Sequence, residues 1–160
     1  MSSYDFRPAT AADWPLLRDW RMTPHVREWW GAPGEEPPED DPRVTRLIVS
    51  LGGRPFAFIQ DYDPHGWPGH HFGQLPPGTR GIDQYIGEAD MLGQGHGPGF
   101  IGARMAAPFA AGAPVIATDP HPHNARAIAA YRKLGFELAG PARETDWGRI
   151  LPMEARAPTG

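Results

Sequence analysis

A chain of 160 residues with 40% hydrophobic and 21% charged residues can build a real core and is too apolar for a disordered segment. Its net charge of −4 argues against a nucleic-acid partner, and the absence of cysteine excludes disulfides, thiolate nucleophiles and cysteine-based zinc sites. No apolar run approaches the ~20 residues that cross a bilayer, and MSSYDFRPAT lacks the basic and apolar regions of a signal peptide, so a cytoplasmic protein with no membrane partner is expected.

Tyr4 to Pro8 reads as a first strand. Thr10 to Asp13 resembles a capping box with Asp13 in place of Glu or Gln, and Trp14, Leu16, Leu17 and Trp20 behind it form one apolar helical face. Pro24 opens a second short helix, His25 to Trp30, closed by Gly31. Residues 31–41 hold Glu35, Glu36, Glu39, Asp40 and Asp41 among prolines and glycines, and are expected as a solvated, mobile loop. Val44 to Leu51 and Arg54 to Tyr62, joined across Gly52-Gly53, form a predicted β-hairpin. The 63–79 loop, with its DPHGWPGHHFGQLPPG run, is too rich in Pro and Gly for regular structure; loops of that length inside compact domains are usually functional or disordered.

Gly81 to Ile86 is the next predicted strand. His96 to Ala111 follows as a helix weakened at its start by Pro98 and Gly99, then Pro114 to Thr118 as a short buried strand. Asn124 is an N-cap for a helix that runs to Leu134 and stops at Gly135. Phe136 to Ala139 and Arg149 to Ala155 are the last two predicted strands. This order gives one α/β domain over residues 1–160, a mixed sheet with helices packed on it.

Two stretches carry chemistry. Gly93, Gly95 and Gly97 alternate between a strand and a helix, where backbone N–H groups and a helix N-terminus can hold a phosphate. The run fits neither the Walker nor the dinucleotide pattern, and a plain turn is the alternative reading. The second stretch, TDPHPHNARAIAAYRKLGF from Thr118 to Phe136, passes from a strand end into a capped helix bearing Tyr131, where core packing is the competing role. His70-His71 and His121-x-His123 lack the helical i,i+4 spacing of zinc hydrolases, so no metal is expected.

The Arg/Gln-x-x-Gly-x-Gly/Ala motif on Leu92 to Gly97 and the Asn-x-x-Ala-x-x-x-Tyr-x-Lys-x-Gly-Phe phrase on Asn124 to Phe136 resemble the GCN5-related N-acetyltransferase (GNAT) superfamily. EWWG at Glu28 to Gly31, GIDQ at Gly81 to Gln84, LGQGHG and TDPHPHNARAIAAY resemble its aminoglycoside 6′-N-acetyltransferase branch. Leu92 departs from the usual Arg or Gln, and the 63–79 loop departs from the branch.

The resemblance implies a GNAT-like, mostly antiparallel central sheet flanked by helices, with acyl-coenzyme A in a splayed-strand cleft. It implies acetyl transfer from acetyl-coenzyme A to a primary amine of a small cationic acceptor such as an aminoglycoside. Direct attack agrees with the lack of cysteine. Asp83 is implied as the amine-binding base and Tyr131 as the acid for the thiolate. The cofactor residues implied are Tyr85, Ile86, Leu92, Gly93, Gln94, Gly95, His96, Gly97, Asn124 and Tyr131. Those for the acceptor are Trp29, Trp30, Gln60, Asp83 and Asp119. From the residues alone, Asp83 has the alternative of a solvent-facing strand position. The rival functions are an acyltransferase for another small amine, such as a lysine-derived siderophore precursor, and a non-catalytic acyl-coenzyme A-binding module. A monomer and a homodimer are both compatible with the sequence.

Overall fold

The computed structural model describes residues 3–158, so residues 1–2 and 159–160 of the expected 1–160 domain fall outside the described part. The first half of the chain runs β1 (Tyr4–Pro8), α1 (Trp14–Met22), α2 (Pro24–Trp30), β2 (Val44–Leu51), β3 (Arg54–Tyr62) and β4 (Arg80–Ile86). The second half runs α3 (His96–Ala110), β5 (Val115–Thr118), α4 (Ala125–Lys133), β6 (Glu137–Leu138), β7 (Arg143–Thr145), β8 (Gly148–Ile150) and β9 (Met153–Arg156). Seven strands form one sheet in the order β1-β2-β3-β4-β5-β9-β6, while β7 and β8 form a separate hairpin. Every pair in the large sheet is antiparallel except β4 with β5. This is the mixed, mostly antiparallel sheet expected.

The parallel contact is short. Only Arg80↔Ile116 and Gly81↔Ala117 are paired, and beyond them β4 and β5 separate. The Thr118 hydroxyl donates to the Ile82 carbonyl at 3.0 Å, closing the apex of the opening. Gly81 at this apex has a local reason: a Cβ there would overlap the Tyr62 ring.

Strand alternation divides the core between the two faces. Ile82 packs with Ile116, Phe100, Ile101, Met105, Ala127 and Tyr131, against α3 and α4. Tyr85 packs with Leu17, Trp20, Val26, Ile48 and Phe58, beneath α1 and α2. The first turn before α1 is fixed by Asp13, which accepts from the Thr10 N–H at 2.8 Å and from both terminal nitrogens of Arg7 at 2.6 and 2.9 Å.

Helix α4 ends in a Schellman motif. The Gly135 N–H donates to the Arg132 carbonyl and the Phe136 N–H to the Tyr131 carbonyl, both at 3.1 Å, with Gly135 at φ +92°. The Phe136 ring packs on Tyr131 with centroids 5.2 Å apart, so the Lys-Leu-Gly-Phe ending fixes the orientation of Tyr131.

Two expectations are corrected. The predicted strand from Arg149 to Ala155 is two strands in two sheets, because Pro152 cannot continue a ladder and the chain turns there. The strand expected over Phe136 to Ala139 shortens to Glu137–Leu138. Residues 63–79 are neither regular nor loose. They wind through successive tight turns, closed by bonds such as His70 N–H to Trp67 carbonyl at 3.1 Å and Gly73 N–H to His70 carbonyl at 2.8 Å. Burial of His70, His71 and Phe72 holds the turns against the sheet.

Candidate active site

The opening between β4 and β5 leads into a cleft of about 540 Å³, lined by side chains from both faces of the sheet. Asp83 and Gln84 are neighbours on β4 and so point to opposite faces. On the α1–α2 side, the Gln60 amide donates to Asp83 Oδ2 at 3.0 Å, the two residues being cross-strand partners. On the α3–α4 side, the Gln84 amide lies 3.4 Å from the Tyr131 hydroxyl, which also interacts with Thr118.

Asp119, one residue beyond β5, brings a second carboxyl within hydrogen-bonding reach of Asp83. Burial raises the affinity of both groups for a proton, and the proximity of Asp119 raises that of Asp83 further. Two carboxyls this close cannot both ionise cheaply, so they share one proton and carry about one negative charge between them. The pair suits one bound ammonium and can receive its proton. Burial also pushes the Tyr131 hydroxyl above its ordinary value, against the opposing effects of Thr118 and Gln84, so it stays protonated and able to donate.

Aromatic rings also line the cleft. Trp29 and Trp30 from α2 both reach the cleft. Trp30 also packs edge-on to Tyr85 at 5.1 Å and Phe58 at 6.1 Å, while Trp29 lies 5.4 Å from His121. Trp67, His70 and His71 from the 63–79 segment and Trp147 from the β7–β8 turn line the same cleft. His70 stacks on His71 at 4.1 Å, and burial next to His71 pushes the His70 imidazole down to about 4. The acidic residues of 31–41 do not line the cleft.

Of the residues expected from sequence, Trp29, Trp30, Gln60, Asp83, Asp119, Asn124 and Tyr131 are brought to this one cleft. Asn124 also caps α4, accepting from the Ala127 N–H at 3.3 Å and leaving its own amide hydrogens available. Leu92, Gly93, Gln94, Gly95, His96 and Gly97 sit apart from it, at the N-terminus of α3. There Gly93 and Gly95 have φ of +70° and +82°, and a Cβ on either would meet no atom within 4 Å. Those glycines serve a left-handed backbone with open space beside it at the start of α3, where N–H groups without helical partners suit a phosphate. Gln94 is tied to the Asp90 carbonyl at 2.7 Å and His96 to the Tyr4 hydroxyl at 3.0 Å, so the turn offers backbone more than side chains.

Tyr85 and Ile86 divide differently from expectation. The Gly87 N–H bonds the Phe56 carbonyl, which sets the ladder phase and turns the backbone of Tyr85 toward β3. The edge facing the opening belongs to Ile82, Gln84 and Ile86, and the Ile86 carbonyl is already bound by His25 at 2.7 Å. The Tyr85 ring is buried, stacked on Phe58 at 5.3 Å.

Sequence reasoning missed Gln84, Thr118, Tyr62, Trp67, His71 and Trp147. Gln84 was open to discovery, because alternation from Asp83 assigns it to the Tyr131 face. The others reach the cleft through the folding of irregular segments and leave no periodic signal.

A carboxyl pair on one wall of such an opening and a phenolic hydroxyl on the other can take a proton from one bound group and give one to another. The Acetyltransferase (GNAT) domain family matches residues 9–143, and the chain belongs to that family. Aminoglycoside N(6')-acetyltransferase type 1 from Klebsiella pneumoniae is 32% identical over 168 residues, covering 96% of this chain and 84% of that protein. A kanamycin resistance protein from Rhizobium radiobacter is 38% identical over 84 residues, covering 52% of this chain and 78% of that one. The crystal structure of aminoglycoside acetyltransferase AAC(6')-Ib with coenzyme A and kanamycin superimposes with a TM-score of 0.84 at 32% identity, covering 96% of this chain and 95% of that one.

Proposed function

We propose that the protein, as one acetyltransferase domain over residues 1–160, transfers acetyl from acetyl-coenzyme A to a primary amine of a small cationic acceptor, with the 6′-amine of an aminoglycoside as the leading candidate. The observation that carries this reading is the cleft at the β4–β5 opening, where Asp83 and Asp119 meet from one face and Tyr131 with Gln84 from the other. The similarity to aminoglycoside N(6')-acetyltransferase along 96% of the chain supports the acceptor class.

The amine enters as an ammonium and is held by the carboxyl pair, with the aromatic rings of Trp29 and Trp30 against its apolar faces. One proton passes from nitrogen to the pair, and the free lone pair attacks the thioester carbonyl carbon. The tetrahedral adduct collapses as the C–S bond breaks. Tyr131 gives its hydroxyl proton to the departing sulfur and is restored by the second proton lost from nitrogen. The products are an amide and a thiol, with one proton released to water. The turn from Gly93 to Gly97 holds the pyrophosphate through backbone N–H groups, since Leu92 supplies no side-chain donor. The unpaired edge at Gln84 and the Asn124 amide face the pantetheine arm.

Thiol release from acetyl-coenzyme A tests the reading across kanamycin-type sugars, linear polyamines and lysine derivatives. Turnover with the sugars supports it, and turnover with lysine derivatives alone redirects it to another small amine. Tight acetyl-coenzyme A binding with no release to any amine defeats it in favour of a binding module.

A further inference from the structure

His71 is the one buried side chain of the 63–79 segment that reaches a carboxyl of the proposed reaction centre. Its Nε2 lies 2.8 Å from Asp119 Oδ2, and its side chain is 5% exposed. Its other ring nitrogen, Nδ1, is buried with no hydrogen-bond partner. This asymmetry fixes the chemistry of the ring. A buried N–H without an acceptor is costlier than a buried lone pair without a donor. The hydrogen therefore sits on Nε2 and is donated to Asp119. For the same reason the ring resists a second proton, which would have to enter at Nδ1 and find no partner. Burial, with the Arg143 charge nearby, acts in the same direction.

We propose that His71 is a positioning residue for acetyl transfer: a neutral, permanent hydrogen-bond donor that holds Asp119 ionised, leaving the proton shared by the carboxyl pair on Asp83. The proposal rests on the reading of the pair as the proton acceptor for the amine. It gives the 63–79 segment a task beyond enclosing the cleft, since its turns bring His71 across 48 residues of sequence to Asp119.

His71 is the neutral side chain of the 63–79 segment bonded to Asp119, at 2.8 Å. Asp83 approaches from β4, Tyr62 from β3 and Tyr131 from α4. Around His71 itself are His70 stacked at 4.1 Å, Trp147 at 5.6 Å, and Arg143, whose guanidinium is anchored on the His71 carbonyl at 2.9 Å. His65 acts on His70, one residue further from the pair. The Arg143 contact fixes the backbone that carries the ring.

Two measurements test this. In 15N NMR of the wild-type protein without acceptor, His71 should remain the Nε2–H tautomer across pH 5.5–8.5, roughly the span over which free histidine titrates. Titration in that range or an Nδ1–H tautomer overturns the assignment, whatever the acceptor proves to be. In kcat/KM against pH with a turned-over amine, His71→Leu should move the acidic limb up by about one pH unit. His71→Gln, which can place an amide N–H near the same point, should restore most of that shift. A loss of activity equal at every pH, with the limb unmoved in both variants, shows a merely structural residue and overturns the proposal. If the wild type turns over no amine, the functional reading fails while the tautomer measurement still decides His71.

Discussion

Gln60 Nε2 donates to Asp83 Oδ2 at 3.0 Å from the adjacent strand, so the carboxyl in the cleft is held by a neutral amide and not by a cation. An arginine there would keep Asp83 ionised and weakly basic; the amide fixes its direction while burial and Asp119 keep its proton affinity high. Asp83→Asn preserves the shape and still accepts from Gln60, but removes one of the two carboxyls that share the proton, and with it the high proton affinity of the pair. Its kcat for amine acetylation should fall by ~10²–10³-fold with KM for acetyl-coenzyme A within about threefold. Steady-state kinetics decides this, and near wild-type turnover would remove Asp83 from the mechanism.

The same carboxyl makes a signed prediction about stability. Its folded-state proton affinity lies above the ordinary value of 3.8, so the native state binds more protons than the unfolded chain from there up to the folded value. The associated stability is present below 3.8 and is lost as pH rises through the folded pKa. Thermal melts should therefore show Asp83→Asn gaining on wild type as pH rises from 3.8 toward the folded value, the gain levelling off beyond it. A gap that narrows with rising pH would contradict the shared-proton description.

Tyr131 combines two jobs on one ring. Its face packs against Phe136 at 5.2 Å, while its hydroxyl lies at the cleft by Gln84. Tyr131→Phe retains the packing and the Schellman ending, and deletes only the donor. The expected result is a ~10²–10³-fold loss of kcat with acetyl-coenzyme A affinity within about threefold. The cost in stability should be about 1 kcal/mol, the worth of an ordinary hydrogen bond. Isothermal titration and thermal melts separate these terms from turnover, and equal losses of binding and turnover would mark Tyr131 as structural.

The parts of this molecule legible in the sequence are those with local causes. The hairpin across Gly52-Gly53, the cap at Asn124 and the stop at Gly135 each depend on residues within a few positions, and each lies where expected. Asp83 was legible as a charge inside a strand. What was hidden depends on distant partners. The bond from His71 to Asp119 spans 48 positions, and the hairpin of β7 and β8 was obscured because Gly148–Ile150 runs straight into the apolar residues of β9. Pro152 was the available sign of that break. Tyr85 shows a third limit: the resemblance placed it near the site, but the phase of the ladder that turns its backbone to β3 is a property of pairing.

At the start of α3, the left-handed backbone of Gly95 gives a test of the proposed pyrophosphate turn. Gly95→Ala would meet no steric neighbour, so its effect is conformational alone. The strain of an L-residue at this φ is worth ~1–2 kcal/mol and is relieved by turning N–H groups away from their common direction. KM for acetyl-coenzyme A should rise at least several-fold while KM for the amine stays constant. Measuring the two constants separately checks it, and an unchanged cofactor constant would show that the turn is not the grip.

Trp147 occupies the turn between β7 and β8, 58% exposed yet lining the cleft and set 4.8 Å from His70. A ring so exposed adds little to folding, and it reaches the cleft where the acceptor is proposed to bind. It lines the same cleft as Trp29 and Trp30, and a sugar ring bound against such aromatic faces would be held by its apolar side while its amine reaches Asp83. Trp147→Ala should leave the melting temperature within about 2 °C and the acetyl-coenzyme A constant unchanged. The KM for a kanamycin-type acceptor should rise by ~5–10-fold, the worth of one lost aromatic contact. Acceptor-dependent kinetics with a ringless polyamine provides the control. If the ringed and ringless amines lose equally, the residue supports the hairpin and does not hold a sugar.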